Sequence, residues 1–254
     1  MAVSLSVSER VAVVTLDDPA TKNALRLEDW RAMRDALRGL DDVRAIVVTG
    51  SNGNFSAGLN LTALGVAALA PNETQARRLI EELKDCVAAL AELQIPSFAA
   101  IEGVCIGGAL EIALGCDVRI AGEGATFSLP EVRLGMIPDV GGCARLTRLV
   151  GPGRAADLIT TGRSVSGSEA FQLGFVERTV SDGAALTTAM EAARRVCNNA
   201  PDAVRLALTV VRAAGDLDLE EAMAIETHHG VLALTSGEAA EGITAFREKR
   251  APKW

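Results

Sequence analysis

An α/β fold with a largely parallel sheet is predicted by two features of the sequence. Two stretches share one design, a short apolar run followed by a glycine-containing loop and a helix: one runs from 45 to 58 and onward, the other from 97 to 116. Strands that alternate with helices in this way pair in parallel, each helix carrying the chain back across the sheet. From about Ala184 the pattern becomes almost wholly helical, so a core at 1–183 and a helical C-terminal part at 184–254 are expected.

In chain order, Val3, Leu5 and Val7 alternate with serines, the pattern of a half-buried strand. Ser8-Glu9-Arg10 turns the chain into the apolar run 11–16, giving an opening hairpin. Residues 17–25 read as a loop from their Pro, Asp and Asn content. Leu27, Trp30, Met33, Leu37 and Leu40 recur at steps of three and four, one face of an amphipathic helix. Ala76, Leu79, Leu83, Val87 and Leu90 mark a second, which Pro96 closes before the strand at 97–101. Residues 118–121, 126–128 and 175–180 read as further strands. Between 129 and 142 the chain is too rich in Gly and Pro for regular structure, and it carries Glu131 and Asp139. Long irregular loops in compact domains are disproportionately functional.

Composition narrows the function. The net charge of −8, with six Phe, two Trp and no Tyr, argues against general nucleic-acid binding. Five scattered cysteines, Cys86, Cys105, Cys116, Cys143 and Cys197, show no Cys-x-x-Cys spacing and no nearby histidine. They read as reduced thiols, not as a disulfide framework or a metal site. No export signal and no apolar run of membrane-spanning length is apparent, so a cytoplasmic protein without a membrane partner is expected. His228 and His229 read as helix-surface or subunit-contact residues.

The chemistry points to Gly103-Val-Cys-Ile-Gly-Gly-Ala-Leu-Glu111. A strand that breaks at paired glycines and becomes a helix leaves the first amides of that helix unpaired, where they and the helix dipole favour negative charge. Glu111 lies three residues after Gly108, on nearly the same face. An anion-binding helix start with a carboxyl beside it suggests acid–base chemistry on a carbonyl compound. A glycine pair that merely lets a helix pack closely on a sheet reads equally well.

Several stretches together resemble the enoyl-CoA hydratase/isomerase (crotonase) superfamily: Lys22-Asn23-Ala24-Leu25, Phe55-Ser56-Ala57-Gly58, 103–117, Pro130-Glu131 with Gly141-Gly142, and Glu241-Gly242 leading to Phe246-Arg247-Glu248-Lys249-Arg250. The resemblance implies a crotonase-like spiral of strand-strand-helix turns with a helical C-terminal trimerisation part. It also implies a homotrimer or homohexamer that binds an acyl-CoA thioester and needs no cofactor beyond the CoA of its substrate. The amides of Ala57 and Gly108 would form the oxyanion hole. Ala20 and Lys22 would meet the adenine, and Ala57, Gly58, Leu59 and Asn60 the pantetheine. Lys22, Arg26 and Lys249 of a neighbouring subunit would neutralise CoA phosphates, or are simply solvated charges. An apolar acyl pocket is expected along 61–70.

In the hydratase pattern the two acids match Glu111 and Glu131, one activating water at C3 and the other supplying a proton at C2. Asp139 departs from it, standing where hydratases tend to have glycine. Its spacing from Glu131 resembles the dienoyl-CoA isomerase arrangement, although that pattern carries Asp at the Glu111 position. Capping of the helix near Gly141 is an equally good reading of Asp139. Asn60 stands where the motif usually has Asp. The expectation is therefore an enoyl-CoA hydratase, with a double-bond isomerase using Glu131 and Asp139, or a non-catalytic acyl-CoA-binding protein, as alternatives.

Overall fold

The structure is a computed structural model that describes residues 2–65 and 72–254. Strands β1 (Val3–Ser8) and β2 (Val11–Leu16) form the opening hairpin, with Ser8 paired to Val11. Glu9 and Arg10 at its tip both take positive φ, as a two-residue turn that matches strand twist requires. Helix α1 (Leu27–Arg38) then leads to β3 (Ala45–Gly50), and α2 (Leu61–Leu64) and α3 (Glu73–Ala91) lead to β4 (Ser97–Ile101). After β5 (Val104–Ile106) come α4 (Gly108–Gly115), β6 (Val118–Gly122) and β7 (Thr126–Ser128). A 3-10 turn at Glu131–Leu134 precedes α5 (Gly142–Val150), α6 (Pro152–Thr161), β8 (Val165–Ser166), α7 (Gly167–Leu173) and β9 (Arg178–Val180). Helices α8 (Ala185–Cys197), α9 (Pro201–Ala214), α10 (Leu219–Thr235) and α11 (Glu238–Glu248) complete the chain.

The larger sheet has the order β1-β2-β3-β4-β6-β9 and is parallel beyond the hairpin. A second sheet, β5-β7-β8, stands beside it. The main core holds Trp30, Met33, Leu90, Ile101, Phe127 and Phe175, the two phenylalanine rings meeting edge-on at 5.6 Å. Alanines at helical spacing (Ala185, Ala189 and Ala193) let α8 lie close on the opposite face of the sheet, against Val47, Phe98 and Ile120.

Four details differ from the sequence reading. Leu5 and Val7 are exposed, because β1 is the edge strand and the helices do not reach that far along it. Strand β5 was unforeseen, since three residues carry no readable period. The last strand starts at Arg178 rather than 175, because the Phe175 amide turns back to Ala170 to close α7. Finally, α8 belongs to the core of the sheet, so the helices that stand off it begin at Pro201, not at Ala184. Among the described residues, no helix is long and apolar enough to cross a membrane.

Arg212 of α9 fixes those outer helices to the sheet. Its Nε and Nη2 reach both Asp117 carboxylate oxygens at 2.8 Å, and Asp117 Oδ2 also accepts from the amide and hydroxyl of Ser97 at the start of β4. Bidentate charge-assisted pairs of this kind are strong and directional. Arg212→Ala is expected to lower stability by about 2 kcal/mol, measured as a fall in the urea midpoint without a change in slope.

Candidate active site

The site begins in the loop after the hairpin. Asn23 is fully buried and takes φ +59°, a conformation asparagine tolerates better than most residues. Its Nδ2 donates to the carbonyls of Ser51 and Asn54 at 3.0 and 2.8 Å, and its Oδ1 accepts from the Asp18 amide. Ser56 Oγ donates to the Asn23 carbonyl at 2.7 Å and accepts from the Gly58 amide. These bonds lash the 51–58 loop to the 18–25 loop. Neither role was read from the sequence; an asparagine inside a polar turn was the only signal.

This lashing decides which amides are free. The Ala57 N–H donates to the Lys22 carbonyl at 2.9 Å, so the expected donor at Ala57 is already engaged. Leu25 pairs with Leu59 as an isolated parallel bridge, through Leu25 N–H to Gly58 O and Asn60 N–H to Leu25 O, both 2.8 Å. In such a bridge the intervening residue turns its own N–H to the other side. The amide of Leu59, two residues along from Ala57, therefore points away from Leu25, and no described residue accepts it.

Opposite it stands the first turn of α4. Gly108 opens the helix, so its amide has no intrahelical acceptor. The two segments lie close together: a Cβ on Gly58 would stand 3.2 Å from the Gly108 nitrogen, and one on Gly108 would stand 3.7 Å from the Leu59 nitrogen. Trp30 packs beneath, leaving no room for a side chain at position 108. Gly107 takes φ +59°, and a Cβ there would stand 2.8 Å from Glu131 Oε1. A bare backbone is thus what admits that carboxyl.

A cavity opens over these residues. Leu59, Leu61, Leu83, Ile106, Met136 and Val140 make it apolar, while Glu111, Glu131 and Asp139 all line it. Glu111 is 3% exposed. Its Oε1 accepts from the amides of Val140 and Gly142, both at 2.8 Å, and Oε2 has no donor among the described residues. Burial pushes its pKa up to about 7 against the pull of the Gly142 and Val140 amides, and the negative charges of Glu131 and Asp139 add to the rise. Burial also raises Glu131, whose Oε2 is buried without a partner. Asp139 is half-buried and raised by burial, with Lys84 opposing. It does not cap α5, whose N-terminus carries no side-chain cap; Glu111 takes the Gly142 amide instead.

Of the other residues singled out in the sequence, Ala57 and Leu59 line the cavity, whereas Ala20, Lys22, Gly58 and Asn60 do not. Ala20 lies in an exposed 3-10 turn, Pro19–Thr21. Asn60 caps α2 by accepting from the Ala63 amide at 2.9 Å and, with Leu59, Arg26 and Arg31, borders a second groove. Arg26 and Lys249 are exposed. Of the acyl segment expected at 61–70, Leu61 reaches the cavity and 66–70 lie outside the described residues. Cys105 is fully buried with its pKa driven well above that of an ordinary thiol, so it is no nucleophile. His228 and His229 stack edge to face on α10. Among the described residues no cluster of His, Cys, Asp and Glu is placed to hold a metal ion.

The sequence profile of the enoyl-CoA hydratase/isomerase family matches residues 6–254. The chain belongs to that family. An enoyl-CoA hydratase of Mycobacterium tuberculosis is 36% identical to it over 246 residues, 95% of this chain and 92% of the relative. A short-chain-enoyl-CoA hydratase of Clostridium acetobutylicum is 33% identical over 95% of this chain and 92% of its own length. The crystal structure of an enoyl-CoA hydratase from Bacillus anthracis superposes with a TM-score of 0.93 at 32% identity, covering 100% of this chain and 99% of that one. The crotonase-like fold expected from the sequence is therefore the fold of the chain.

In this family member the buried carboxyl of Glu111 links stability to pH. Its folded pKa of about 7 lies above the ordinary glutamate value of 4.5, so the fold binds the proton more tightly than the unfolded chain does. The stabilisation is complete below the lower value and is lost as pH rises through the upper one. Between these limits the wild type should lose about 3 kcal/mol that Glu111→Gln does not lose. Urea titrations of both proteins across pH 4–8 measure the difference.

Proposed function

We propose that the protein is an enoyl-CoA hydratase, adding water across the C2–C3 double bond of a 2-enoyl-CoA thioester. The observation that carries the proposal is the sharing of one apolar cavity by Glu111 and Glu131, beside the unengaged amides of Leu59 and Gly108. The hydratases among its relatives support the same reading.

In the proposed reaction the thioester oxygen accepts from the Leu59 and Gly108 amides, which replace the Ala57–Gly108 pair expected from the sequence. Glu111, with Oε1 fixed by two amides and Oε2 free, takes a proton from water as the water oxygen bonds to C3. The π electrons move toward C2 and the thioester oxygen, where the two amides and the α4 dipole stabilise the enolate. Glu131, whose Oε2 is buried without a partner, gives a proton to C2. The product is a 3-hydroxyacyl-CoA, and proton exchange with solvent resets the pair. Two carboxyls with opposed tasks in one site follow the general logic of acid–base catalysis.

Asp139 favours a second reading. It lines the same cavity and caps no helix, which supports a role in moving a proton along the acyl chain, as in the dienoyl-CoA isomerase pattern. Assays with crotonyl-CoA and with a 3,5-dienoyl-CoA separate the two. Hydration should fall about 10²–10⁴-fold in Glu111→Gln and in Glu131→Gln, and only a few-fold in Asp139→Asn. Isomerisation lost in Asp139→Asn, with no hydration by the wild type, would install the second reading. Binding of acyl-CoA without turnover of either substrate would leave a non-catalytic binder.

A homo-oligomer, trimer or hexamer, is part of the proposal. Helix α10 has no single apolar face and buries none of its residues within the protomer. Leu219 (77% exposed), Leu234 (74%) and Phe246 of α11 (84%) are open to solvent. Large apolar surfaces of this kind mark contacts between proteins. Light scattering should give a mass of three or six chains, and Leu234→Glu with Phe246→Glu should reduce it toward one.

A further inference from the structure

The Gly141-Gly142 pair lies between an acid and a base. On one side the Gly142 amide donates to Glu111 Oε1 at 2.8 Å, and a Cβ on Gly142 would stand 3.0 Å from that oxygen. On the other side Gly141 takes φ +116°, and a Cβ there would collide with Arg145 Nη1. Arg145 lies one turn along α5, where its own amide donates to the Gly141 carbonyl at 2.8 Å.

The guanidinium of Arg145 is half-buried, and among the described residues it has neither a hydrogen-bond acceptor nor an ion-pair partner. The acidic groups acting on it are the Glu111 carboxyl and the Cys116 thiol. Cys116 is buried, with a pKa pushed up to about 12, and so carries no charge near neutrality. Around Glu111 stand Glu131 from the 3-10 turn and Asp139 from the loop, both negative when ionised. Cys143, on the first turn of α5, is held neutral as a thiol, and Lys84 of α3 acts on Asp139.

We propose that Arg145 is a positioning residue for Glu111. Its guanidinium braces the Gly141-Gly142 turn from behind, keeping the Gly142 N–H on Glu111 Oε1. The proposal rests on Glu111 acting as the base, but its test does not require turnover.

In protein labelled with ¹³C at the glutamate carboxyls, the Glu111 resonance is assigned by its loss in Glu111→Gln and followed by NMR from pH 4 to pH 9. Loss of a donated amide raises a carboxyl pKa, so Glu111 should titrate higher by about one unit in Arg145→Met and in Arg145→Lys, neither of which keeps the planar brace. Amide exchange at Gly142 should quicken about tenfold in Arg145→Lys, which retains the charge but loses the planar brace; this second readout stands even if the methionine variant does not fold. In the hydration assay the acid limb of kcat should move to higher pH in Arg145→Met, with KM for crotonyl-CoA unchanged. An unshifted Glu111 titration or unchanged Gly142 exchange overturns the proposal, as does a rise in KM with an unmoved limb. Absence of hydration in the wild type would sink the functional reading and leave the titration to decide this one.

Discussion

Two backbone amides converging on one oxygen of Glu111 hold the site together. The donors, Val140 and Gly142, stand at the end of the loop and at the first residue of α5, and the acceptor stands on a helix rooted in the sheet. Without that acceptor the loop would have two buried donors and no partner, a defect that costs about 1–3 kcal/mol per group. The same two bonds offset only part of the penalty of burying the carboxyl, so its proton is held near neutrality rather than released early. These two bonds tie the 135–142 loop, whose Asp139 lines the cavity, to α4, and they temper the rise of the Glu111 pKa.

The opposite wall is governed by a different kind of restraint. Asn23 and Ser56 spend their side chains on main-chain groups, and through them one loop dictates the path of another. The Lys22 carbonyl then engages Ala57, and Leu25 brackets Leu59 without engaging its amide. None of these residues contributes a titratable group to the cavity, yet they decide which N–H groups face it.

Much of the fold was legible because it rests on long, regular patterns. The hairpin, the amphipathic helices at 27–38 and 73–91 and the parallel strands at 45–50 and 97–101 each repeat an apolar period over five or more residues. What escaped was short or non-local. Strand β5 has three residues, and Phe175 left its expected strand because a helix ended on it. The three acids were visible as residue types in suggestive places, and they do share a cavity. The direction of an amide was not visible: Ala57 and Leu59 are two residues apart, and only contacts with Lys22 and Leu25, more than thirty positions away, distinguish them. Likewise α8 reads as one helix among several, and its place on the sheet comes from alanines whose small size matters only against a facing surface.

Leu59 lines both the cavity and the second groove. In the proposed reaction its contribution to the chemistry comes from the main chain alone. Exchange of that leucine for a larger or smaller residue would therefore reshape the corridor between the groove and the acids while the electrostatic element persisted. Divergence toward new acyl groups then has an inexpensive route, in which selectivity drifts at a position whose catalytic duty is independent of the genetic code.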